Sequence, residues 1–230
     1  MIVNKVFCKL ASFVKGAEFR LDPEVPDSYL LYLASDYAFR LIRGAFRLRA
    51  LALVGRRVDL ICRTHIKFGR ALNVGDDCVI NALSIDGVVI GDHVSIQKRT
   101  VIECTGSLRF IGRGLKLGDN VGIGSNSFLG CAGGIEIGSD TILGNFVSLH
   151  AENHNYTQLD VPIRSQGVSR VGIKIGRDCW IGAKVTILDG AVIEDGCIIA
   201  AGALVTSGIY KAHSIYGGVP AKLLRNRFVQ

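Results

Sequence analysis

An aliphatic residue recurs at every sixth position between residues 175 and 205. The positions are Ile175, Ile181, Ile187, Ile193, Ile199 and Val205. A period of six matches neither a helix nor a half-buried strand, so it indicates a repeat architecture. A compact residue stands four positions after each of the first five, namely Cys179, Val185, Ala191, Cys197 and Ala203. Two inward positions per hexad, with glycines at the turns, predict a triangular coil of short strands that stacks into a parallel β-helix.

A β-sandwich also has short apolar runs and frequent turns, but its strands vary in length and spacing. The six-residue phase begins less regularly near Leu60 and slips around Asp86, 106–114 and 132–134, which predicts bulges or short loops there. It disappears over residues 150–174, a polar stretch with two of the five histidines. Long excursions from a rigid scaffold commonly carry function. We therefore expect a β-helix over 59–209 with a catalytic loop at 150–174, a helical segment at 1–58 and a tail at 210–230.

The chain of 230 residues carries a formal net charge of +7, with a sequence pI near 9.1. Such an excess favours polyanionic partners, which include nucleotide cofactors and anionic membranes as well as nucleic acids. The sequence has no basic tract, aromatic-interleaved basic patch or zinc-finger spacing, so we expect no nucleic-acid partner.

Seven cysteines occur without any CxxC pair, and residues 1–15 show no convincing signal-peptide cleavage site. Three of them, Cys78, Cys179 and Cys197, fall on the compact inward position, where a free thiol acts as a small apolar side chain. No apolar run is long enough to span a bilayer. These features predict reduced cysteines and a cytoplasmic location.

A helix is predicted from Tyr29 to about Arg49, capped by Asp27 or Ser28. Its expected buried face is Leu30, Ala34, Tyr37, Leu41, Ala45 and Leu48. A separate arginine stripe consists of Arg40, Arg43 and Arg47. This stripe is interpreted either as a solvated cationic face or as a surface that contacts anionic lipid or another polyanion.

Four segments together resemble the hexapeptide-repeat acyltransferases, most closely the sugar and polysaccharide O-acetyltransferases. They are HNYTQLDVPI, IGRDCWIGAKVTILDGAVI, IIAAGALVT and YGGVPAKLLRNR. The resemblance covers about residues 60–227. It implies a left-handed parallel β-helix, usually a homotrimer, with acetyl-CoA bound in the cleft between neighbouring subunits and a saccharide as acceptor.

Family members carry one catalytic histidine on this loop, and His154 matches it by its distance ahead of Trp180. A sugar hydroxyl is a weak nucleophile, so a base with a near-neutral pKa is needed as it attacks a thioester. His150 is expected to be structural or to contact the acceptor. Glu152 or Asp160 is a candidate for orienting the imidazole, and Asn153 and Tyr156 are candidates for acceptor binding.

The resemblance also implies the cofactor site. Trp180 would line the pantetheine channel, with corner packing as its alternative, and the backbone amides of Ala183 and Ala201 would contact the cofactor arm. Turn amides near Trp180 to Ala183 are candidate oxyanion donors. Lys222, Arg225 and Arg227 are candidates for the CoA phosphates, or else form a solvated basic tail.

Two departures affect the acceptor. The run after the final Val-Thr reads Ser207, Gly208, Ile209, Tyr210 and Lys211, so the usual lysine is absent and Lys211 is at best a displaced substitute. Ala132 replaces a carboxylate found in some sugar acetyltransferases, which leaves Asn126 as the nearest polar candidate.

Three alternatives stay open at this point. One is transfer to an amino sugar or of a longer acyl group, and another is a non-catalytic β-helix scaffold. The third is a zinc-dependent carbonic anhydrase built on His93, His150 and His154, for which the spacing is unsuitable. The expected reaction, by contrast, needs no metal.

Overall fold

The computed structural model describes Cys8 and residues 21–228, and three parallel sheets dominate it. Sheet A contains Leu53–Val54, Asn73–Val74, Ser95–Ile96, Gly122–Ile123, Ile142–Leu143, Trp180–Ile181, Ile198–Ile199, Ser214–Gly217 and, antiparallel at its end, Lys222–Asn226. Sheet B contains Asp59–Ile61, Val79–Asn81, Val101–Glu103, Phe128–Gly130, Ser148–His150, Thr186–Leu188 and Leu204–Val205. Sheet C contains Ile66–Phe68, Val88–Ile90, Leu115–Leu117, Ile135–Ile137, Ile173–Ile175, Ala191–Ile193 and Gly208–Tyr210.

The chain visits sheets A, B and C in turn, so its strands form stacked triangular coils. The predicted left-handed parallel β-helix with a helical N-terminal segment is confirmed. Two 3₁₀ turns, Arg63–His65 and Ile163–Ser165, and a short antiparallel pair, Asn153–His154 with Val168–Ser169, complete the described elements.

Stacked side chains fill the interior of the prism. The predicted hexad aliphatics are all buried, and in sheet A Leu143, Ile181 and Ile199 stand directly above one another in register. The compact positions Cys179 and Cys197 are buried at the edge between sheets C and A. Each fully buried isoleucine stabilises the fold by about 1.5–3 kcal/mol relative to an exposed one, so the register of the coils is strongly fixed.

The BC edge of the prism varies widely in length, whereas the AB edge is constant. The AB edge, between each strand of sheet A and the next of sheet B, comprises 55–58, 75–78, 97–100, 124–127, 144–147, 182–185 and 200–203. The BC edge comprises 62–65, 82–87, 104–114, 131–134, 151–172, 189–190 and 206–207. Every predicted interruption therefore lies on the BC edge, and insertions there leave the strand ladders intact.

Helix α1, Asp27–Leu48, covers the first coil, but its orientation differs from the prediction. Only Leu30 and Gly44 are fully buried, whereas Tyr37 and Leu41 of the expected core face are exposed. Pro26 occupies the N-cap position without a side-chain cap, so the expected Asp27 or Ser28 cap is also wrong.

Two of the three arginines in the stripe, Arg40 and Arg43, contact the solenoid. Arg43 Nε donates to the Val54 carbonyl at 2.9 Å, and Arg40 pairs with Asp36 at 2.6 Å and Asp76 at 3.5 Å. A Cβ on Gly44 would overlap the Ala52 carbonyl, so the helix approaches the first coil closely at this residue. Arg43 thus gives one carbonyl at the open end of sheet A a donor, and Arg40 and Arg43 do not form the solvated cationic face that was one interpretation of the stripe. No helix among the described residues is long and apolar enough to cross a membrane.

The buried thiols give a test of the packing. Burial raises the pKa of Cys179 to about 11 and also raises the pKa of Cys78 and Cys197. At pH 8 roughly one in a thousand Cys179 side chains would be thiolate, and that fraction would still lie out of reach of a reagent. In a Cys8→Ser/Cys62→Ser variant, the five remaining thiols should react with a thiol reagent only when urea unfolds the chain. Rapid labelling of any of them in the folded protein would contradict the packing.

Candidate active site

The longest BC-edge insertion, residues 151–172, carries the predicted catalytic histidine. It leaves the fifth strand of sheet B after His150 and returns at Ile173 in sheet C. Both ends therefore stand on rigid strands, and the short pairing of Asn153 with Ser169 and His154 with Val168 closes its base. His154 is thereby held on an ordered hairpin rather than on an unconstrained loop.

A buried carboxylate anchors the returning end of the loop. Asp189 is only 3% exposed and accepts backbone hydrogen bonds from Gly172 at 2.7 Å and from Val171 at 3.0 Å. It lies in the next coil on the same BC edge, followed by Gly190 with φ +80°. Because these hydrogen bonds are short and buried, Asp189 fixes where the loop rejoins the solenoid.

Arg170 closes the loop base with an ion pair and links it by hydrogen bonds to the other long insertion of the BC edge. Arg170 Nε contacts Glu152 at 2.6 Å, and its Nη1 donates to the carbonyls of Phe110 at 3.2 Å and Ile111 at 3.4 Å. Glu152 is therefore engaged by Arg170 rather than by His154. This corrects the expectation that Glu152 was a candidate for orienting the imidazole.

The outer part of the loop closes around Gln166. Its side-chain oxygen accepts from Gln158 N at 3.0 Å, and its amide donates to the carbonyls of Gln158 at 2.8 Å and Val161 at 2.7 Å. Asn155 Nδ2 donates to the Gln166 carbonyl at 3.2 Å. Side-chain amides thus perform the backbone pairing that a regular hairpin would provide.

These contacts leave an open polar cleft of about 480 Å³ over the hairpin. His154, Asn153 and Tyr156 all line it, and all three are exposed. The structure therefore brings together the predicted base and two of the three predicted acceptor-binding residues. The cleft is lined entirely by loop residues 153–158, 166 and 169.

His150 stands apart from this cleft on the outer face of sheet B. Its Nε2 lies 2.7 Å from Ser148 Oγ, and its ring is 5.5 Å from that of Phe128. His93 occupies the edge between sheets C and A with φ +58°. The three histidines of the zinc alternative thus occupy three different parts of the prism, and no cluster of three or more metal-ligating side chains occurs among Cys8 and residues 21–228.

The predicted cofactor residues lie on sheet A and the AB edge, away from the histidine loop. Trp180 is 54% exposed on the outer face of sheet A, which corrects the alternative of corner packing. Strand register places Trp180, Ile198, Ile215 and Arg225 in one row across neighbouring strands. Three strand spacings separate the ends of this row by about 14 Å.

Ala183 and Ala201 occupy equivalent positions in successive coils on the AB edge. Within residues 21–228 the backbone N–H groups of both alanines have no acceptor, whereas Arg56 and Ser125 at the same edge donate to Asp76 and Asn145. Methyl side chains leave these two donors uncovered. This arrangement suits a ligand with carbonyl groups that runs along the edge.

The remaining predicted residues have mixed placements. Asn126 lies on the AB edge, where its Oδ1 accepts from Arg99 Nε at 2.7 Å, so a single chain does not bring it to the His154 cleft. Lys222 and Arg225 are exposed on the last strand, next to the Trp180 row. Arg227 instead pairs with Asp178 at 2.7 Å, and Lys211 lies 3.5 Å from Glu194.

The sequence pattern does not predict the three residues that support the loop, namely Asp189, Arg170 and Gln166. Asp189 sits in a Leu-Asp-Gly-Ala turn that looks like any other hexad corner, and only its burial distinguishes it. A buried acid at a corner next to an insertion is the signal that would have identified it.

Two family models and a curated relative match this chain. Residues 172–207 match the family model described as bacterial transferase hexapeptide (six repeats), and residues 114–151 match the hexapeptide repeat of succinyl-transferase. A probable acetyltransferase of Mycobacterium tuberculosis is 28% identical over 192 residues, which is 82% of this chain and 54% of that protein. The chain thus spans about half the length of this curated relative.

Solved structures of AntD, an N-acyltransferase from Bacillus cereus, share the fold. A mutant complex with coenzyme A and dTDP-4-amino-4,6-dideoxyglucose superposes with a TM-score of 0.55 at 18% identity, covering 82% of this chain and 89% of that one. The complex with dTDP and 3-hydroxybutyryl-CoA superposes with a TM-score of 0.53 at 16% identity, covering 81% of this chain and 88% of that one.

The anchoring of the loop can be tested by hydrogen exchange. An Asp189→Ala variant leaves two backbone donors of the loop without an acceptor, so amides of residues 153–172 should exchange faster by about ten-fold or more. Asp160→Ala, which removes an exposed carboxylate of the same loop, serves as the matched control and should leave exchange unchanged. Equal protection in the two variants would show that Asp189 does not anchor the loop.

Proposed function

We propose that this chain, a member of the hexapeptide-repeat acyltransferase family, transfers an acetyl group from acetyl-CoA to a hydroxyl of a saccharide. The observation that carries the proposal is the exposed His154 on an anchored hairpin, beside Asn153 and Tyr156 in a polar cleft. The curated relative is a probable acetyltransferase, and AntD was solved with acyl-CoA and with an amino-sugar nucleotide. These similarities support the donor and the acceptor class.

In the proposed reaction His154 acts as general base. The imidazole takes the proton of the acceptor hydroxyl while its oxygen attacks the thioester carbonyl, which gives a tetrahedral oxyanion. Backbone N–H groups of the AB edge are the proposed donors to this oxygen. Collapse of the intermediate breaks the carbon–sulfur bond, and the leaving thiolate takes the proton from the imidazolium. Neither a metal nor a covalent enzyme intermediate is required.

The donor site is proposed to lie along sheet A of a neighbouring copy. Within one chain, the His154 hairpin leaves from the BC edge, while Ala183 and Ala201 occupy the AB edge, with sheet B between them. A contact that sets the BC edge of one copy against the AB edge of the next would join the two half-sites. Repeating such a heterologous contact around a closed ring gives a homotrimer.

In that arrangement each cofactor residue has a defined role. Trp180 would line the pantetheine path, while the free amides of Ala183 and Ala201 would bind its carbonyl groups. Lys222 and Arg225 would contact the phosphates at the far end of the row. Asn126, on the same edge as the alanines, would reach the acceptor of the neighbouring copy.

A second candidate is acetylation of an amino sugar, which is favoured by the amino-sugar nucleotide in the AntD complex. The same cleft serves both reactions, because a base is needed to free either nucleophile. Labelled acetyl-CoA offered with nucleotide sugars, lipid-linked sugars and finished polysaccharides identifies the acceptor. Mild alkali then separates the products, since it removes an O-acetyl ester and leaves an N-acetyl amide.

Replacing His154 with Ala should lower turnover by about a thousand-fold, because a general base contributes roughly 10²–10⁴ to the rate. Affinity for CoA, measured by thermal stabilisation, should stay close to that of the unmodified protein. His150→Ala is the matched control and should retain turnover. Undiminished turnover in the His154 variant would refute the assignment, and no stabilisation of the unmodified protein by CoA would favour the scaffold alternative.

A further inference from the structure

The outer face of helix α1 is apolar and has no cover among the described residues. After Asp27, every charged residue of the helix is partly buried, namely Asp36, Arg40, Arg43 and Arg47. The opposite side exposes large apolar side chains, namely Leu31, Tyr32, Phe39, Ile42 and Phe46. Phe46 is 81% exposed, and Leu51, just beyond the helix, is 82% exposed. The helix is thus amphipathic with its apolar side turned outward.

The contacts of the charged side fix this orientation. Arg43 bonds the Val54 carbonyl, Arg40 pairs with Asp36 and Asp76, and Gly44 lies against Ala52. Rotating the apolar side inward would break these pairs and expose the end of the sheet A ladder. The outward face therefore belongs to the folded state.

The net charge of the chain around this face indicates what kind of partner binds it. Residues 1–57 contain ten Lys or Arg against five Asp or Glu, whereas residues 58–230 are close to balance, with seventeen against fifteen. Residues 1–20 contribute Lys5, Lys9, Lys15 and Arg20 among apolar residues. A second copy that docked through the same end would bring two cationic segments together, which is unfavourable. An anionic surface with an apolar interior complements both features.

We propose that the outer face of helix α1 docks the protein on an anionic lipid bilayer. The apolar side chains enter the boundary between head groups and acyl chains, and the net positive charge of residues 1–57 favours an anionic bilayer. Arg40 and Arg43 remain with the solenoid, so the apolar face rather than the stripe determines binding. This inference is independent of the acyl-transfer reaction.

Vesicle flotation with the full chain tests the proposal. The unmodified protein should float with vesicles of equal parts phosphatidylcholine and phosphatidylglycerol, and less with phosphatidylcholine alone. An Ile42→Asp/Phe46→Asp variant should bind about a hundred-fold more weakly, because each of the two apolar side chains removed from lipid is worth about a factor of ten. The control Ile85→Asp/Phe110→Asp places the same two changes on exposed solenoid residues, adds the same charge and should still float.

A second measurement avoids disruptive charges. In a Trp180→Phe/Phe46→Trp variant the single tryptophan reports on the helix face, and its emission should shift to shorter wavelength on the anionic vesicles. Failure of the unmodified protein to float, an unshifted emission, or equal loss in the face and control variants would each overturn the proposal. An assembly in lipid-free solution that the Ile42→Asp/Phe46→Asp variant breaks, without any vesicle binding, would assign the face to a second copy instead.

Discussion

The in-register stacking of parallel coils is the constraint on which the rest of this structure depends. Apart from the last two strands of sheet A, each strand of the three sheets contributes only two or three residues, so no single coil could bury its own core. The ladder solves this because Leu143, Ile181 and Ile199 are held one above another by backbone hydrogen bonds between neighbouring coils. A slip of one residue would turn these aliphatics outward.

That constraint explains why functional residues collect at edges. The inward-facing residues of the strands are committed to the core, so only outward-facing ones such as Trp180 stay accessible, and the AB edge keeps four residues in every coil. The BC edge accepts insertions of widely different length, and two of these, 104–114 and 151–172, touch through Arg170. The histidine hairpin is therefore supported by an adjacent insertion, by Asp189 from the following coil and by its own amide contacts. The loop that carries His154 is therefore held in one conformation by the contacts that surround it.

The sequence predicts the solenoid well because a period of six is a direct record of coil geometry. It also locates His154, Asn153 and Tyr156 on one loop, which the structure places in one cleft. Contacts between residues distant in sequence were out of reach, as with Arg170 and Glu152 or Asp189 and Gly172. The prediction of which face of helix α1 is buried was wrong for a related reason. Apolar residues occur on both sides of helix α1, and the deciding partner of Arg43, the Val54 carbonyl, is an unpaired ladder acceptor that periodicity does not report.

In the proposed arrangement the active site is completed between two copies of the chain. Mixing two inactive variants tests it most directly, with His154→Ala lacking the base and Ala201→Trp obstructing the exposed AB edge. After joint refolding in equal amounts, about a quarter of the sites in a ring should pair an intact base with an intact edge, so activity should return to that level. Joint refolding that yields mixed assemblies but restores no activity would contradict a shared site.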